Sequence, residues 1–241
     1  MVEVFEGIVL RTLKYSDSLL IADVYTRQKG RMSFLVPVTH SKRGRVRSVL
    51  FQPLSMLSLT VSYKNGRQLQ RVNDAQPYNM YSSIPFNVVK SAIAIYLSEM
   101  LVYTLREEEP DESLFAFLNR SFSLFDELES GYADFHIVFL SQLLRHIGIY
   151  PNLDNYSHGC YFDLVQGCAV REHPMHANFL KPDDAAGFVS LVRVEYENMH
   201  SLSLNRKLRG NYLAILNLYY RLHIPDFPQI KSMDVLKELF D

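Results

Sequence analysis

The sequence predicts an α+β fold, a small five-stranded barrel followed by helices, and three observations carry that prediction. From Val2 to Val72 the chain is rich in Val, Leu, Ile, Phe, Thr and Tyr in short runs broken by turn residues, which leaves no room for a long helix. After Gln76-Pro77 the apolar residues recur at helical spacing instead. The charge changes sign at the same place. Residues 1–76 hold 12 Lys/Arg and 5 Asp/Glu, and the remainder hold 13 and 21, so the net charge of −1 conceals a basic module at +7 joined to an acidic one at −8.

Five extended segments are separable, at about Val4–Leu13, Leu19–Thr26, Met32–Val38, Val49–Tyr63 and Arg67–Asn73. Gln28-Lys29-Gly30-Arg31 marks a turn between the second and third. Asn65-Gly66, inside Lys64–Arg67, supplies the positive φ that a tight hairpin needs. Ser55 to Ser62 alternates polar and apolar, as a strand with one wet face does. Five strands in so short a stretch suit an OB-fold, the commonest small barrel that handles nucleic acid, and an SH3-like barrel fits the strand count almost as well. The barrel is assigned residues 1–78 and an α-helical domain residues 79–241, with a small β-hairpin inserted around residues 157–176.

In the second part Pro85 opens a helix whose Val88, Val89, Ala92, Ile93, Ile95, Tyr96, Met100, Leu101, Val102 and Leu105 make it apolar on most faces, as a buried helix is. It ends in the charged run Arg106–Glu112, where Pro110 and Asp111 are start signals for the next helix. Helices follow at Leu114–Leu128, Tyr132–Ile147, Asp184–Met199, Leu204–His223 and Ser232–Leu239. Cys160–Val165 and Cys168–Val170 read as the hairpin.

Composition excludes several classes. With 48% hydrophobic residues the chain can bury a core. Two cysteines give no disulfide framework and fit a reducing compartment. No basic segment followed by an apolar stretch opens the chain, and the most apolar run, Ser91–Ser98, is far too short to span a bilayer, so a cytoplasmic protein without a membrane partner is expected. Gly-rich phosphate loops, His-Glu-x-x-His helices and Gly-x-Ser-x-Gly elbows do not occur, which lowers the enzyme reading, and no cofactor is expected.

The cations gather at the barrel's connections. Lys42, Arg43, Arg45 and Arg47 lie between the third and fourth segments; Arg27, Lys29 and Arg31 surround the tight turn; Lys64, Arg67 and Arg71 surround the hairpin; Arg11 lies on the first strand. Any one of them is explained as a solubilising loop charge, but together they point to a polyanion, since guanidinium groups match phosphate geometry. Tyr15, Phe34, Phe51 and Tyr63 have the chemistry to stack on bases, although aromatics at strand positions mostly pack inward. His158, Cys160, Cys168, His173 and His176 carry zinc-ligand chemistry within nineteen residues, but neither cysteine has a partner two residues away. A hairpin held by packing, without metal, is the expectation.

Gly7-Ile8-Val9-Leu10-Arg11, Tyr15-Ser16-Asp17-Ser18 and Thr26-Arg27-Gln28-Lys29-Gly30-Arg31, taken in order, resemble the RecO family of bacterial recombination mediators. The Lys42–Arg47 loop, Leu50-x-Gln52-Pro53-Leu54, Leu143-Leu144-Arg145-x-x-Gly148, Pro151-Asn152-Leu153 and Tyr219-Tyr220-x-x-His223 extend the likeness. Ile230-Lys231-Ser232-x-x-Val235-Leu236-x-x-Leu239 carries it almost to the end. The resemblance implies an N-terminal OB-fold, a helical domain, and binding of single- and double-stranded DNA with annealing of complementary strands. It further implies help in loading recombinase onto DNA coated by single-strand-binding protein, in the bacterial cytoplasm at the nucleoid. The implied partners are RecR and the acidic, apolar C-terminal tail of the single-strand-binding protein, with Arg145, Arg206, Lys207 and Arg209 as candidate contacts to that tail. Relatives with two Cys-x-x-Cys pairs bind zinc at the hairpin; this chain lacks those pairs. The alternative function is an RNA-binding or protein-interaction adaptor built on the same barrel.

Overall fold

The computed structural model describes residues 1–37, 46–106, 109–202 and 204–240. Contacts divide the chain into two compact units, Met1–Leu128 with Ile230–Leu236, and Glu129–Gln229 with Lys237–Asp241.

In the first unit five strands, β1 (Val2–Ser16), β2 (Leu19–Thr26), β3 (Gly30–Pro37), β4 (Met56–Ser62) and β5 (Leu69–Asn79), close into a barrel in the order β1-β2-β3-β5-β4. This is the OB-fold arrangement: β1 is long enough to pair with both β2 and β4, and a parallel contact between β3 and β5 shuts the cylinder. The handover along β1 falls at Gly7, which faces Thr26 on β2 and Leu57 on β4. A Cβ there would lie 2.4 Å from Val24 Cγ1, so only glycine lets the two strands approach. Phe5, Val9, Val24, Phe34, Phe51, Leu57, Leu59 and Val72 fill the interior, which places Phe34 and Phe51 in the core. Tyr63 packs at its edge, while Tyr15 is exposed.

Among the strands, the largest differences from the sequence prediction fall at two boundaries. The fourth strand begins at Met56 rather than Val49, because Ser48–Leu50 form a 3-10 turn and Pro53-Leu54 a β-turn closed by Ser55 N–H on the Gln52 carbonyl at 3.1 Å. Leu54 holds φ at 64°, an unusual value for leucine, and burial with a 2.8 Å bond to the Val9 carbonyl keeps it there. The fifth strand runs past Asn73 to Asn79. Shifts in its register against β4, between Thr60 and Val61 and between Met56 and Leu57, absorb residues that looked like strand breakers.

Helix α1 (Val88–Thr104) starts at Asn87, whose side chain accepts from Lys90 N–H, rather than at Pro85. Helix α2 (Glu112–Glu127) is capped by Asp111 in the same way. Glu99 on α1 accepts from the backbone of Lys231 and Ser232, where α6 (Ser232–Phe240) begins.

The second unit contains α3 (Phe135–His146), α4 (Pro182–Val192) and α5 (Arg206–His223), with a small sheet of β6 (Tyr161–Asp163), β7 (Cys168–Val170) and β8 (Phe179–Leu180) in the order β7-β6-β8. The predicted hairpin is present, and β8 adds a strand that its two residues made illegible. The helix expected over Asp184–Met199 stops at Val192 and resumes as a 3-10 turn, Tyr196–Leu202. Tyr219 and Tyr220 on α5 donate to the carbonyls of Ile149 and Leu140, tying the helices together. Among the described residues no helix is long and apolar enough to cross a membrane.

Candidate nucleic-acid interface

The β4–β5 hairpin is held by one buried side chain. Gln70 accepts from Lys64 N–H at 3.0 Å and donates to the carbonyls of Lys64 and Arg67 at 2.9 and 2.6 Å, so the loop that presents Lys64, Asn65 and Arg67 has a fixed shape. Gly66, at φ 74°, closes the Asn65-Gly66 turn. Beside this hairpin the turn between β2 and β3 is braced by Thr26, which donates to the Gly30 carbonyl and accepts from Lys29 N–H.

Between them lies a cleft of about 580 Å³, lined by Lys29, Arg31, Met32, Tyr63, Arg67, Gln68 and Arg106 among others, with no acid on its walls among the described residues. Lys29 Nζ rests 5.6 Å from the centre of the Tyr63 ring, which in turn packs on Phe5. The β2–β3 strands and the loop between strands four and five are the surfaces with which OB-folds hold nucleic acid.

The remaining predicted cations divide into three groups. Lys64, Arg67 and Arg71 are exposed on or beside the hairpin, and Arg47 is exposed where the 3-10 turn begins. Lys42, Arg43 and Arg45 lie outside the described residues. Arg11, Arg27 and Arg31 have protein partners. Arg31 donates to Asp23 and to the carbonyls of Val102 and Leu105, where α1 ends. Arg11 donates to the same Asp23 carboxylate at 2.7 Å. Burial pushes the Asp23 carboxyl up, but hydrogen bonds from Ser33, Arg11 and Arg31 outweigh it and hold the group below the usual carboxylate range. Arg27 is bonded to Glu112 and Glu6. Sequence reasoning did not find Arg106, Gln68 and Met32 as cleft residues. Arg106 comes from the end of α1, outside the strand segments, and no spacing signal links it to the hairpin.

In the second unit Arg206, Lys207 and Arg209 line a depression of about 300 Å³ together with Lys237. Arg209 also donates to Asp134 at 2.7 Å and to the Leu204 carbonyl. Arg145 is not on that wall: it pairs with Glu195 at 2.6 Å and lies over the Tyr150 ring.

The five metal-ligand candidates are not brought together. His176 donates to Asp163, His173 packs against Tyr161 and Phe179, Cys160 is buried on Ser157, and Cys168 donates to Gln166. Among the described residues, His158 included, no group of three or more His, Cys, Asp or Glu is placed to hold a metal ion.

The closed barrel with its basic cleft defines an OB-fold protein. Comparison with known proteins gives the family. Residues 1–81 match the family model described as Recombination protein O N terminal, and residues 85–233 match Recombination protein O C terminal. A DNA repair protein RecO of Phocaeicola vulgatus is 45% identical over 234 residues, covering 97% of each chain. One from Bacteroides fragilis is 46% identical over 236 residues, covering 98% of each. One from Porphyromonas gingivalis is 33% identical across the whole of both. The chain belongs to the RecO family of DNA repair proteins.

Proposed function

We propose that this chain is a non-enzymatic DNA-binding and strand-annealing recombination mediator, which helps load recombinase onto single-stranded DNA coated by single-strand-binding protein. The observation that carries the reading is the cleft of Lys29, Arg67 and Arg106, with no acid on its walls among the described residues, beside a hairpin held by Gln70. Phosphates neutralised there lose the repulsion that keeps two complementary strands apart, so annealing requires charge and proximity but no reacting side chain. Residues 1–78, joined by Arg106 just past α1, then carry the DNA contacts, and the rest of residues 79–241 docks RecR and the tail of the single-strand-binding protein. The depression at Arg206, Lys207 and Arg209 offers cations for the tail's carboxylates. The site of action is the nucleoid of the bacterial cytoplasm.

A strand-annealing assay with DNA coated by single-strand-binding protein, either intact or lacking its terminal tail, tests both halves of the reading. Annealing should occur with the intact coat and fall sharply when the tail is removed. Charge reversal of Lys29, Arg67 and Arg106 to Glu should abolish DNA binding without unfolding the chain, since all three are exposed, and unchanged affinity in an anisotropy titration would overturn the assignment. Competition between matched DNA and RNA strands separates this reading from that of an RNA-binding adaptor.

A further inference from the structure

We propose that the cleft beneath the β4–β5 hairpin is a pocket for one unstacked nucleotide, so that the barrel grips single strands by a contact that duplex DNA does not make. The inference rests on the DNA-binding reading and goes beyond it by separating the two substrates.

The cations here surround a concavity instead of a ridge. At about 580 Å³ the cleft falls inside the roughly 300–1,000 Å³ typical of small-ligand pockets. Its wall is chemically divided in the way a nucleotide is. Lys29, Arg67 and Arg106 supply positive charge for a phosphate, Tyr63 and Met32 supply apolar surface for a base, and the amides of Asn65 and Gln68 offer donors and acceptors to a base edge. Arg31 also lines the cleft, but its charge is offset by Asp23. Phe5 packs against the Tyr63 ring at 5.7 Å and Gln70 locks the hairpin, so the pocket exists before any ligand arrives.

A duplex keeps its bases stacked inside and its phosphates outside. It can therefore touch the cationic rim but has nothing to insert, unless a base is extruded at an energetic cost. A single strand rotates a base inward freely. The same geometry governs release: a base seated against Tyr63 and Met32 is not available for pairing, so forming the complementary duplex withdraws the nucleotide and leaves only the weaker rim contacts.

The test uses the full chain, a labelled oligothymidylate and a labelled duplex of equal length, followed by fluorescence anisotropy. Gln68→Ala and Tyr63→Leu leave the net charge unchanged. Each should weaken single-strand binding by about tenfold while moving duplex binding by less than about twofold. Thymidine 5′-monophosphate should displace the oligothymidylate at lower concentration than inorganic phosphate does. Gln68 is exposed, so its variant keeps the fold even if Tyr63→Leu loosens the barrel edge. Equal losses on both substrates, or no loss on either, would overturn the pocket and leave the DNA-binding reading standing. A wild-type chain that binds neither DNA at low salt would overturn both.

Discussion

Arg27 forks onto Glu112, with Nε 2.9 Å from Oε2 and Nη2 2.6 Å from Oε1, and spends its remaining nitrogen on Glu6 at 3.2 Å. Those carboxylates raise the guanidinium's pKa, and the pairing lowers that of Glu112. Both partners are exposed, so the pair adds little to stability. Its consequence is competition: a phosphate reaching Arg27 must displace a bidentate acid. Glu112→Gln should release the cation, raising DNA affinity by about two- to threefold at low salt and steepening the dependence on log salt by up to about one. Anisotropy titrations over a salt series read both quantities, and an unchanged slope would mean that Arg27 never meets DNA.

Arg31 has the opposite role from the one its charge advertises. Its guanidinium satisfies the carbonyls of Val102, in the last turn of α1, and of Leu105, just beyond it, at 2.6 and 3.1 Å, and joins Arg11 and Ser33 around Asp23. Arg31→Ala leaves a buried carboxylate short of one partner and two helix-end carbonyls unbonded, a loss of about 2–4 kcal/mol. Urea denaturation should register that loss. Single-strand affinity at a temperature where the variant is folded should fall by less than it does for Arg67→Ala.

These two arginines mark how far the sequence could be read. The barrel was legible because its turns use residues whose chemistry is local: Gln28–Arg31, and Asn65-Gly66 with φ at 74°. Leu54 hid a turn, since nothing in a leucine announces a φ of 64° that only tertiary burial sustains. Positive charge was legible, but its engagement was not. Whether Arg27 is held depends on Glu112, 85 positions away, and whether Arg31 is held depends on carbonyls more than 70 positions away. The cleft itself needed Arg106, just past the end of α1, which strand periodicity could not supply. The switch from strand to helical spacing after Gln76-Pro77 was visible as a change of pattern. The grouping of α1 and α2 with the barrel follows from long-range packing instead.

Asp126 is an acid-labile point of the first unit. Its carboxylate accepts from the backbone N–H groups of Ser82, Ser83 and Ile84 at 2.7–2.8 Å, and buried Lys90 donates to its carbonyl. Burial raises the carboxyl's pKa, but the hydrogen bonds from Ser82, Ile84 and Ser83 prevail and bring it below the ordinary value. A carboxyl depressed in the folded state stabilises at every pH above its unfolded pKa, and that stability is lost as pH falls through the folded value, so the window opens below about pH 4. Thermal melts should show wild type well above Asp126→Asn at neutral pH and the two converging in acid. A constant gap down to about pH 3 would exclude this carboxylate as the titrating group.

The small sheet of the second unit is pinned by a buried carboxylate. Asp163 is buried, accepts from Val165 and Gln166 N–H at 2.8 and 3.0 Å, and receives His176 Nε2 at 3.1 Å. His176 Nδ1 accepts from Asn178 N–H, which fixes the proton on Nε2 and aims it at the carboxylate. His173, T-shaped against both Tyr161 and Phe179, closes the other side. Asp163→Ala would strip partners from two backbone donors and one imidazole, costing about 2–3 kcal/mol, whereas Cys168→Ser should be nearly neutral because that thiol's hydrogen bond to Gln166 is a long 3.8 Å. Since the cysteines and histidines are held by separate partners, a strong zinc chelator should leave the melting temperature unchanged. A fall of several degrees on chelation, matched by one in Cys168→Ser, would show that Asp163 is not what holds the hairpin.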